Sequence, residues 1–317
     1  MNLMDVTDEY IKAGVINFDI DPGFANYKVA YLCVYDVSGW QPVAITEIKN
    51  NNILFTRIGP YVMYLPAIYD HGKYMPVGVP FYVDSLNYVR RILRDQKTRQ
   101  DPTIIRKSPL YSYTAYHVES LKGGKFEAAN ASDFKNAVTL YEINNYPFYM
   151  NSVRIANKKA YRYLRYVAPP VGSIEADNIA EIEFYGKDNN RKLNGKYMGI
   201  EGATGHEIAK AFDNNIETFY QNATNKNGWI GIDLGEENVI SEIKFCPRND
   251  TNCVMPGNDY ELFYWDNRWI SLGSKKALDY TLSFKNCPVG VLFWLKCKTG
   301  GHEERIFTIE DGTQKFW

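Results

Sequence analysis

Three short oxygen-bearing side chains fall within one short stretch of the sequence. Asp213, Asn215 and Thr218 lie in the segment AKAFDNNIETFYQN (209–222), where turn-forming residues interrupt an apolar pattern. Oxygen ligands of this kind suit a hard cation such as calcium. They suit equally well an Asx-type turn that caps the neighbouring segment without a metal. Both interpretations stay open, because the segment does not have the ligand spacing of an EF-hand.

Arg248, Asn249 and Asp250 form a second polar set at the end of an apolar run. Arg and Asn donate hydrogen bonds and Asp accepts them, so together they suit vicinal sugar hydroxyls. Tyr220 and His302 lie in other predicted loops, and an aromatic side chain there can stack on the apolar face of a sugar ring. The alternatives are an internal ion pair between Arg248 and Asp250 that fixes its own loop, and a structural role for His302.

The sequence lacks the local signatures of the common enzyme classes. It contains no HExxH, GxSxG, P-loop or GxGxxG motif. A nucleophilic site assembled in space from Cys33 and His71 stays open, but Cys33 lies inside an apolar run, where a buried and inert thiol is favoured. Carboxylate pairs for glycoside hydrolysis also stay open, since they need only spatial proximity. We expect a protein that is not an enzyme.

Charge gives no global attraction to nucleic acid or anionic membranes. The chain has 36 basic and 37 acidic residues among 317, for a net charge of −1. Arg162 and Arg165 alternate with tyrosines, which fits a strand with one solvated face better than a stacking site for nucleic acid. No run reaches the roughly 18 apolar residues of a membrane span. The start, MNLMDVTDEY, lacks the basic and apolar regions of a signal peptide, so the chain is either cytosolic or the mature part of an exported protein.

The five cysteines form no CxxC pair, which argues against a zinc site. Their odd, sparse number also argues against a disulfide framework, although Cys246 with Cys253, or Cys287 with Cys297, are spaced so that they can pair. Cysteine usage therefore leaves the compartment open.

Short runs of aromatic and β-branched residues, separated by Gly, Asn, Asp and Pro, recur along the chain. Examples are YKVAYLCVYDV (27–37), WIGIDLG (229–235) and VLFWLKCK (291–298). This spacing is typical of a β-sandwich or jelly roll, so we predict an all-β chain of such domains in tandem. Two exceptions, at 85–95 and 205–212, have a helical pattern.

Composition predicts how the chain divides. We expect an N-terminal β domain (1–97), a charged linker (98–109), a companion β lobe (110–190) and a C-terminal domain (191–317). There is also a weak internal repeat. The runs at 161–168 and 179–186 resemble those at 291–298 and 303–312, as an aromatic strand followed by a strand that ends in Gly.

Residues 203–312 resemble the coagulation factor five/eight type C (discoidin) family, which has a galactose-binding-like jelly-roll fold. The motifs that carry the resemblance occur in family order: AKAFDNNIETFYQN, WIGIDLG, ISEIKFCPRND, YELFYWDNRWISLG and EERIFTIEDG. The sequence departs from the family pattern at Asn214, where a Gly is usual, and at Arg305 in the last strand. Residues 109–187 resemble a companion lobe, and the whole chain resembles the C-terminal regions of bacterial surface proteins that carry a transglutaminase-like domain.

The resemblance implies further properties. In the family, the turn of Asp213 together with a carboxylate near the C-terminus often holds a structural calcium, and here that carboxylate would be Glu304. Family ligands bind in loops at one end of the sandwich, which implies a rim of Tyr220, Arg248, Asn249, Asp250 and His302.

We therefore expect a glycan-binding accessory protein or module at the bacterial cell surface or in the periplasm. Its partner would be a glycan or glycoconjugate, with no nucleic acid and no direct membrane insertion. The alternatives are the accessory C-terminal region of a transglutaminase- or peptidase-type enzyme, packed on an upstream catalytic domain, and a protein-adhesion scaffold.

Overall fold

The computed structural model describes residues 16–36, 38–56, 58–109, 120–145, 150–169, 178–188, 190–224, 228–249, 253–300 and 304–317. The chain divides into two compact units. Unit 1 consists of Met1–Pro109 and Cys253–Trp317, and unit 2 consists of Leu110–Asn252. Unit 2 is thus inserted between two segments of unit 1, whereas the sequence analysis expected domains that follow one another.

The chain is almost entirely β, as the sequence predicts. The helical elements named in the described residues are two 3-10 turns, η1 (Pro22–Phe24) and η2 (Ile208–Ala211). The expected helix at 85–95 is instead a turn followed by a strand, Val89–Arg91, and the one at 205–212 is reduced to η2. Within the described ranges, no helical segment has the length and hydropathy to cross a membrane.

In its described residues, unit 2 has eight strands: β11 (Lys125–Ala129), β12 (Val138–Glu142), β13 (Asn151–Arg154), β14 (Ala160–Val167), β15 (Ile179–Gly186), β16 (Lys192–Leu193), β17 (Lys196–Gly199) and β18 (Trp229–Pro247). The long β18 organises them. Its first part pairs with β14 and β17, and its second part pairs with β15 and β13.

The two parts of β18 belong to two layers that enclose the core of unit 2. Alternate residues of each strand face inward, as a sheet with one buried face requires. Phe126 of β11 meets Phe245 of β18 with 5.0 Å between ring centroids, and Phe184 of β15 at 6.2 Å. Buried Ile230 and Ile232 complete the packing. The core therefore forms from residues that the period-2 pattern of the sequence indicates.

Among residues 16–109, leaving out 37 and 57, unit 1 has ten strands before the insertion: β1 (Ile16–Asp19), β2 (Val29–Asp36), β3 (Gly39–Glu47), β4 (Asn52–Phe55), β5 (Tyr64–Asp70), β6 (Lys73–Pro76), β7 (Phe81–Val83), β8 (Val89–Arg91), β9 (Asp95–Gln100) and β10 (Thr103–Ile104). After the insertion come β19 (Asp259–Trp265), β20 (Trp269–Lys276), β21 (Leu282–Ser283), β22 (Cys287–Val289), β23 (Phe293–Cys297), β24 (Ile306–Glu310) and β25 (Thr313–Phe316).

Unit 1 consists of two halves with the same strand order. The first half contains the sheet β3-β2-β5-β7-β8 and the pair β1-β4, and the second contains β20-β19-β23-β24-β25 and β10-β21. The first hairpin of each half has a register irregularity at the same place, between Leu32 and Cys33 and between Glu261 and Phe263. In each half, the residue that follows the last strand donates a backbone hydrogen bond to the start of the preceding strand. The Ile92 N–H bonds to the Pro80 carbonyl, just before β7, and the Trp317 N–H bonds to the Ile306 carbonyl of β24.

The internal repeat therefore lies within unit 1 and not where the sequence analysis placed it. Strands β23 and β24 pair with each other, whereas β14 and β15, their proposed counterparts, each pair with β18. The predicted linker at 98–109 also has a different role. It contains β10, which pairs with β21, while the neighbouring β9 pairs with β22, so this stretch is part of unit 1. Likewise, the expected boundary near residue 190 falls inside unit 2.

Candidate cation and ligand sites

The residues from Phe212 to Thr218 form a turn directly after η2. Asp213 Oδ1 accepts a hydrogen bond from the Asn215 backbone N at 3.0 Å, and its Oδ2 accepts one from Thr218 Oγ1 at 2.8 Å. The same hydroxyl lies 3.0 Å from the carbonyl oxygen of Asn215 and 3.4 Å from that of Lys210. The structure therefore brings the three predicted turn residues together around the Thr218 hydroxyl.

A buried carboxylate that the sequence analysis missed lies beside this turn. Glu181 of β15 is fully buried. Lys192 Nζ lies 3.4 Å from Glu181 Oε1, 3.0 Å from Glu183 Oε1 and 2.5 Å from Asn214 Oδ1. The second oxygen of Glu181 is buried and has no hydrogen-bond partner among the residues that the structure describes. Burial raises the pKa of Glu181 to about 8, with Lys192 opposing this and the charge of Asp213 adding to it.

Strand alternation explains why Glu181 escaped notice. In IAEIEFYG (179–186), Ile182 and Phe184 face the core, which leaves Glu181 and Glu183 on the other face. Such positions are ordinarily solvated. Here Lys192 and the turn residue Asn214 lie at this face, because the Lys192 ammonium bonds to Glu181, Glu183 and Asn214. A tertiary contact, absent from the local pattern, buries the acid.

Glu304, the carboxylate implied by the family resemblance, belongs to unit 1, whereas the turn belongs to unit 2. Glu304 Oε1 accepts a hydrogen bond from the Cys297 backbone N at 2.6 Å. Burial raises the pKa of Glu304, while the bond from Cys297, the charge of Lys107 and a hydrogen bond from Trp294 oppose the rise. Glu304 thus has bonding partners of its own within unit 1.

Among the described residues, no group of three or more His, Cys, Asp or Glu side chains is arranged to hold a metal ion. A cation at the turn would therefore rest on the two carboxylates of Asp213 and Glu181, together with neutral oxygens.

A second cluster forms at the end of β18. The guanidinium carbon of Arg248 lies 4.0 Å from the centroid of the Phe219 ring. The imidazole of His206 also stacks on the Phe219 ring, with 4.1 Å between centroids and 20° between planes. His206 Nδ1 is also 3.2 Å from the Phe219 carbonyl oxygen. All three side chains are partly exposed, so they form a polar and aromatic surface contributed by three loops.

Two of the predicted rim residues are instead buried inside unit 2. Tyr220 is 1% exposed, and its hydroxyl donates to the Ile200 carbonyl at 3.0 Å. Asn249 is also 1% exposed, and its side-chain amide donates to the Ile216 carbonyl at 2.7 Å. Both of these hydrogen bonds fix loops that carry Arg248, Phe219 and His206. Of the remaining rim residues, Asp250 and His302 lie outside the described residues.

Phe219 and His206 were not singled out from the sequence. Phe219 stands directly before Tyr220 in the aromatic pair FY, and strand-like alternation assigns one ring to the core and the other to the surface. The sequence analysis chose the wrong ring of the pair for the surface. His206 had no sequence signal, since it meets Phe219 only through the fold.

The cysteine thiols lie inside the protein. All five are buried and none is in a disulfide, so neither of the two disulfides considered above forms. Burial raises the pKa of the Cys33 thiol to about 12 and that of Cys287 to about 11. His71 instead contacts Asp70, with 2.8 Å between Nδ1 and Oδ2, in the turn between β5 and β6.

Arg162 and Arg165 both form ion pairs across the strands of unit 2. Arg162 binds Asp233 through two nitrogens at 2.7 and 2.9 Å, and these bonds lower the pKa of Asp233 to about 2. Arg165 binds Glu127 at 2.6 and 2.8 Å. The structural interpretation of the Arg–Tyr alternation therefore has a specific basis, in cross-strand pairing of opposite charges.

Comparison with known proteins bears on one segment of the chain. No match was found among curated proteins or among solved structures. The resemblance of the whole chain to surface proteins with a transglutaminase-like domain therefore stays a prediction. The segment from residue 199 to residue 289 contains the Asp213 turn, the side chains of Arg248, Phe219 and His206, and β18. It continues into β19–β22 of unit 1. Residues 199–289 match the family model of the F5/8 type C domain, the discoidin family of carbohydrate- or ligand-binding modules.

Proposed function

We propose that this chain is a non-catalytic glycan-binding protein and that unit 2 binds the glycan at the Arg248 cluster, defined as Arg248, Phe219 and His206. The observation that carries the proposal is the packing of a guanidinium and an imidazole on one phenyl ring. It lies within the segment that matches a family of binding modules.

The stack holds two polar groups in fixed orientation. A guanidinium held flat against a ring keeps its N–H groups in one plane, which suits hydrogen bonding to adjacent hydroxyls. His206 adds a further polar edge beside it. Because the Phe219 ring already packs against two polar groups, we assign recognition to hydrogen bonding at the edges of the stack and not to sugar stacking on Phe219 itself. A shallow surface of this kind predicts weak affinity, on the order of micromolar to millimolar.

We further propose that the Asp213 turn binds a structural calcium ion, with Glu181 in the place first assigned to Glu304. The donor set supports this, because it consists of hard oxygens: Asp213 Oδ2, Thr218 Oγ1 and the carbonyls of Lys210 and Asn215. The buried, unpartnered oxygen of Glu181 supports it as well. Bound calcium would supply an electrostatic cross-link between the turn and β15.

The proposed setting is the bacterial cell surface or periplasm, where a glycan or glycoconjugate would be the partner. Support for this setting comes from the ligand class of the matched family alone.

A glycan array probed with the whole chain, in calcium and then in chelator, tests the proposal. We expect at least one glycan to bind, with Arg248→Ala reducing affinity at least tenfold. Lys244→Ala is the matched control, because Lys244 also lies on β18 with its ammonium 4.9 Å from an aromatic ring, that of Tyr185. Equal loss in both variants contradicts the assignment of the site. An array without any bound glycan contradicts the function and favours a protein-adhesion scaffold.

A further inference from the structure

Unit 1 carries three tyrosines on one face of its first sheet, outside the segment that matches the F5/8 type C model. Tyr31 of β2, Tyr69 of β5 and Tyr74 of β6 form a triangle, with ring centroids 6.4, 5.3 and 5.0 Å apart. Tyr69 is 49% exposed, and Ile45, opposite Tyr31 on β3, is 61% exposed. We call Tyr31, Tyr69 and Tyr74 the tyrosine platform.

The duplication within unit 1 provides an internal comparison for this platform. The strand pairings of the two halves align Leu32 of β2 with Leu262 of β19. Tyr31 and Glu261 directly precede these leucines, so they occupy equivalent positions. The same registers align Tyr69 of β5 with Lys298, which directly follows β23.

The second half has a polar surface at these positions. Lys298 Nζ lies 3.4 Å from Glu261 Oε2 and 3.5 Å from the hydroxyl of Ser274, the residue that aligns with Ile45. One scaffold therefore folds with either surface. The aligned positions of the second half thus hold no aromatic residue.

Tyr31 and Tyr74 pack on one side against the buried residues Cys33, Leu65 and Ala67. The half-exposed ring of Tyr69 extends this apolar surface to solvent, and clustered exposed apolar surface indicates a binding surface.

Polar groups adjoin the platform where Tyr69 leads into the β5–β6 turn. Asp70 follows Tyr69 at the end of β5, and its Oδ2 lies 2.8 Å from Nδ1 of His71. His71 lies at the turn and is exposed. Apolar ring faces with phenol hydroxyls at their rims match the two kinds of surface on a sugar, its C–H face and its hydroxyl rim.

The size of the platform also favours a saccharide over a folded protein. An aromatic side chain buries about 150–250 Å² when fully covered, so three partly buried rings offer a few hundred Å² at most. A stable protein interface needs about 800 Å² on each partner.

We infer that the tyrosine platform is a second saccharide-binding surface, on unit 1, in which the rings pack on pyranose C–H faces and the tyrosine hydroxyls hydrogen-bond to sugar hydroxyls. The inference shares its ligand class with the proposed function of unit 2 but uses none of the same residues.

The double variant Tyr31→Glu with Tyr69→Lys tests it, because it places the ion pair of the second half on the first. The probes are a β-1,4-glucan, an α-mannan, a β-1,4-linked N-acetylglucosamine polymer and mucin O-glycans, each used in affinity electrophoresis with the whole chain. We expect at least one probe to retard the wild type, and the double variant to lose at least tenfold in affinity while keeping the wild-type melting temperature. Lys298→Ala, at the aligned position of the other half, is the control and should bind as the wild type does.

The outcomes separate the two sites. If the double variant binds as the wild type does while Arg248→Ala fails to bind, the platform inference is overturned and the proposed function of unit 2 stands. If only the double variant loses binding, the platform stands and the Arg248 site is overturned. If no probe binds the wild type, both are overturned. Should the double variant unfold, Tyr69→Ala decides in its place, since Tyr69 is half exposed, and unchanged binding in that folded variant overturns the inference.

Discussion

Trp40 and Trp269 occupy the same position in the two halves of unit 1. Each lies opposite an aromatic residue across its hairpin, Trp40 opposite Tyr35 and Trp269 opposite Trp265. The four rings meet in one cluster, with neighbouring centroids 5.2 to 5.5 Å apart and interplanar angles of 65° to 77°. The duplicated strands of unit 1 are therefore joined by duplicated aromatic pairs, whose edge-to-face geometry is the favourable one.

The symmetry fails at the indole N–H groups, and this gives the first prediction. Burial raises the pKa of the Tyr35 hydroxyl to about 12, and hydrogen bonding by the Trp269 indole opposes this rise, whereas the Trp40 N–H is buried and has no partner among the described residues. Replacing Trp269 by Phe removes a hydrogen bond, and replacing Trp40 by Phe removes an unsatisfied donor. We expect Trp269→Phe to lower the free energy of unfolding by about 1 kcal/mol more than Trp40→Phe does. Urea titration of both variants measures the difference, and equal losses would contradict the hydrogen-bond assignment.

Sequence reasoning succeeded where local patterns decide the structure. Alternation in β14 and β18 predicted strands, and the turn residues Asp213, Asn215 and Thr218 are together in the structure. It failed where distant contacts decide. Glu181 lies on a strand face that looks solvated in the sequence, yet it is buried beside Lys192, which also bonds to the turn residue Asn214. The stack of His206 on Phe219 joins two loops.

Domain organisation failed for a related reason. The chain leaves unit 1 after Pro109 and returns at Cys253, so neighbours in sequence belong to different units. Aligned hydrophobic positions such as Leu32 and Leu262 reveal the duplication only after strand registers are known, because the surrounding surface residues differ.

The second prediction concerns the Asp213 turn. Asp213→Ala removes a carboxylate that accepts bonds from the Asn215 N–H and the Thr218 hydroxyl. The loss of this cap alone should cost about 1 kcal/mol. With calcium bound, the cost should be larger, because a ligand that binds only the folded state adds to its stability. We expect calcium to raise the melting temperature of the wild type but not of Asp213→Ala.

Asp188→Ala is the matched control for this experiment, since Asp188 is exposed and lies in the same unit. It should keep the wild-type response to calcium. A wild type whose melting temperature is the same in calcium and in chelator would contradict the calcium proposal and leave Asp213 as a turn cap.

The last prediction concerns pH and Glu181. In an unfolded chain a glutamate has a pKa of about 4.3, whereas burial in the folded protein raises the pKa of Glu181 to about 8. Between these values the folded state binds more protons than the unfolded state. The free energy of unfolding must then fall as pH rises through this window, because its slope follows the difference in bound protons. The stabilisation is complete below the unfolded pKa and is lost above the folded one.

In chelator, we therefore expect the contribution of Glu181 to make the free energy of unfolding decline between about pH 4.5 and pH 8, and Glu181→Gln to remove that contribution. The amide keeps the shape of the protonated acid but cannot ionise, so the variant should match the wild type near pH 4.5 and exceed it in stability at pH 8. Calcium should reverse the order at pH 8, because the ion favours the ionised carboxylate that only the wild type provides. Urea titrations of both proteins at the two pH values, with calcium and with chelator, measure all four differences. Identical pH profiles for wild type and variant in chelator would show that Glu181 ionises alike in the folded and unfolded chain.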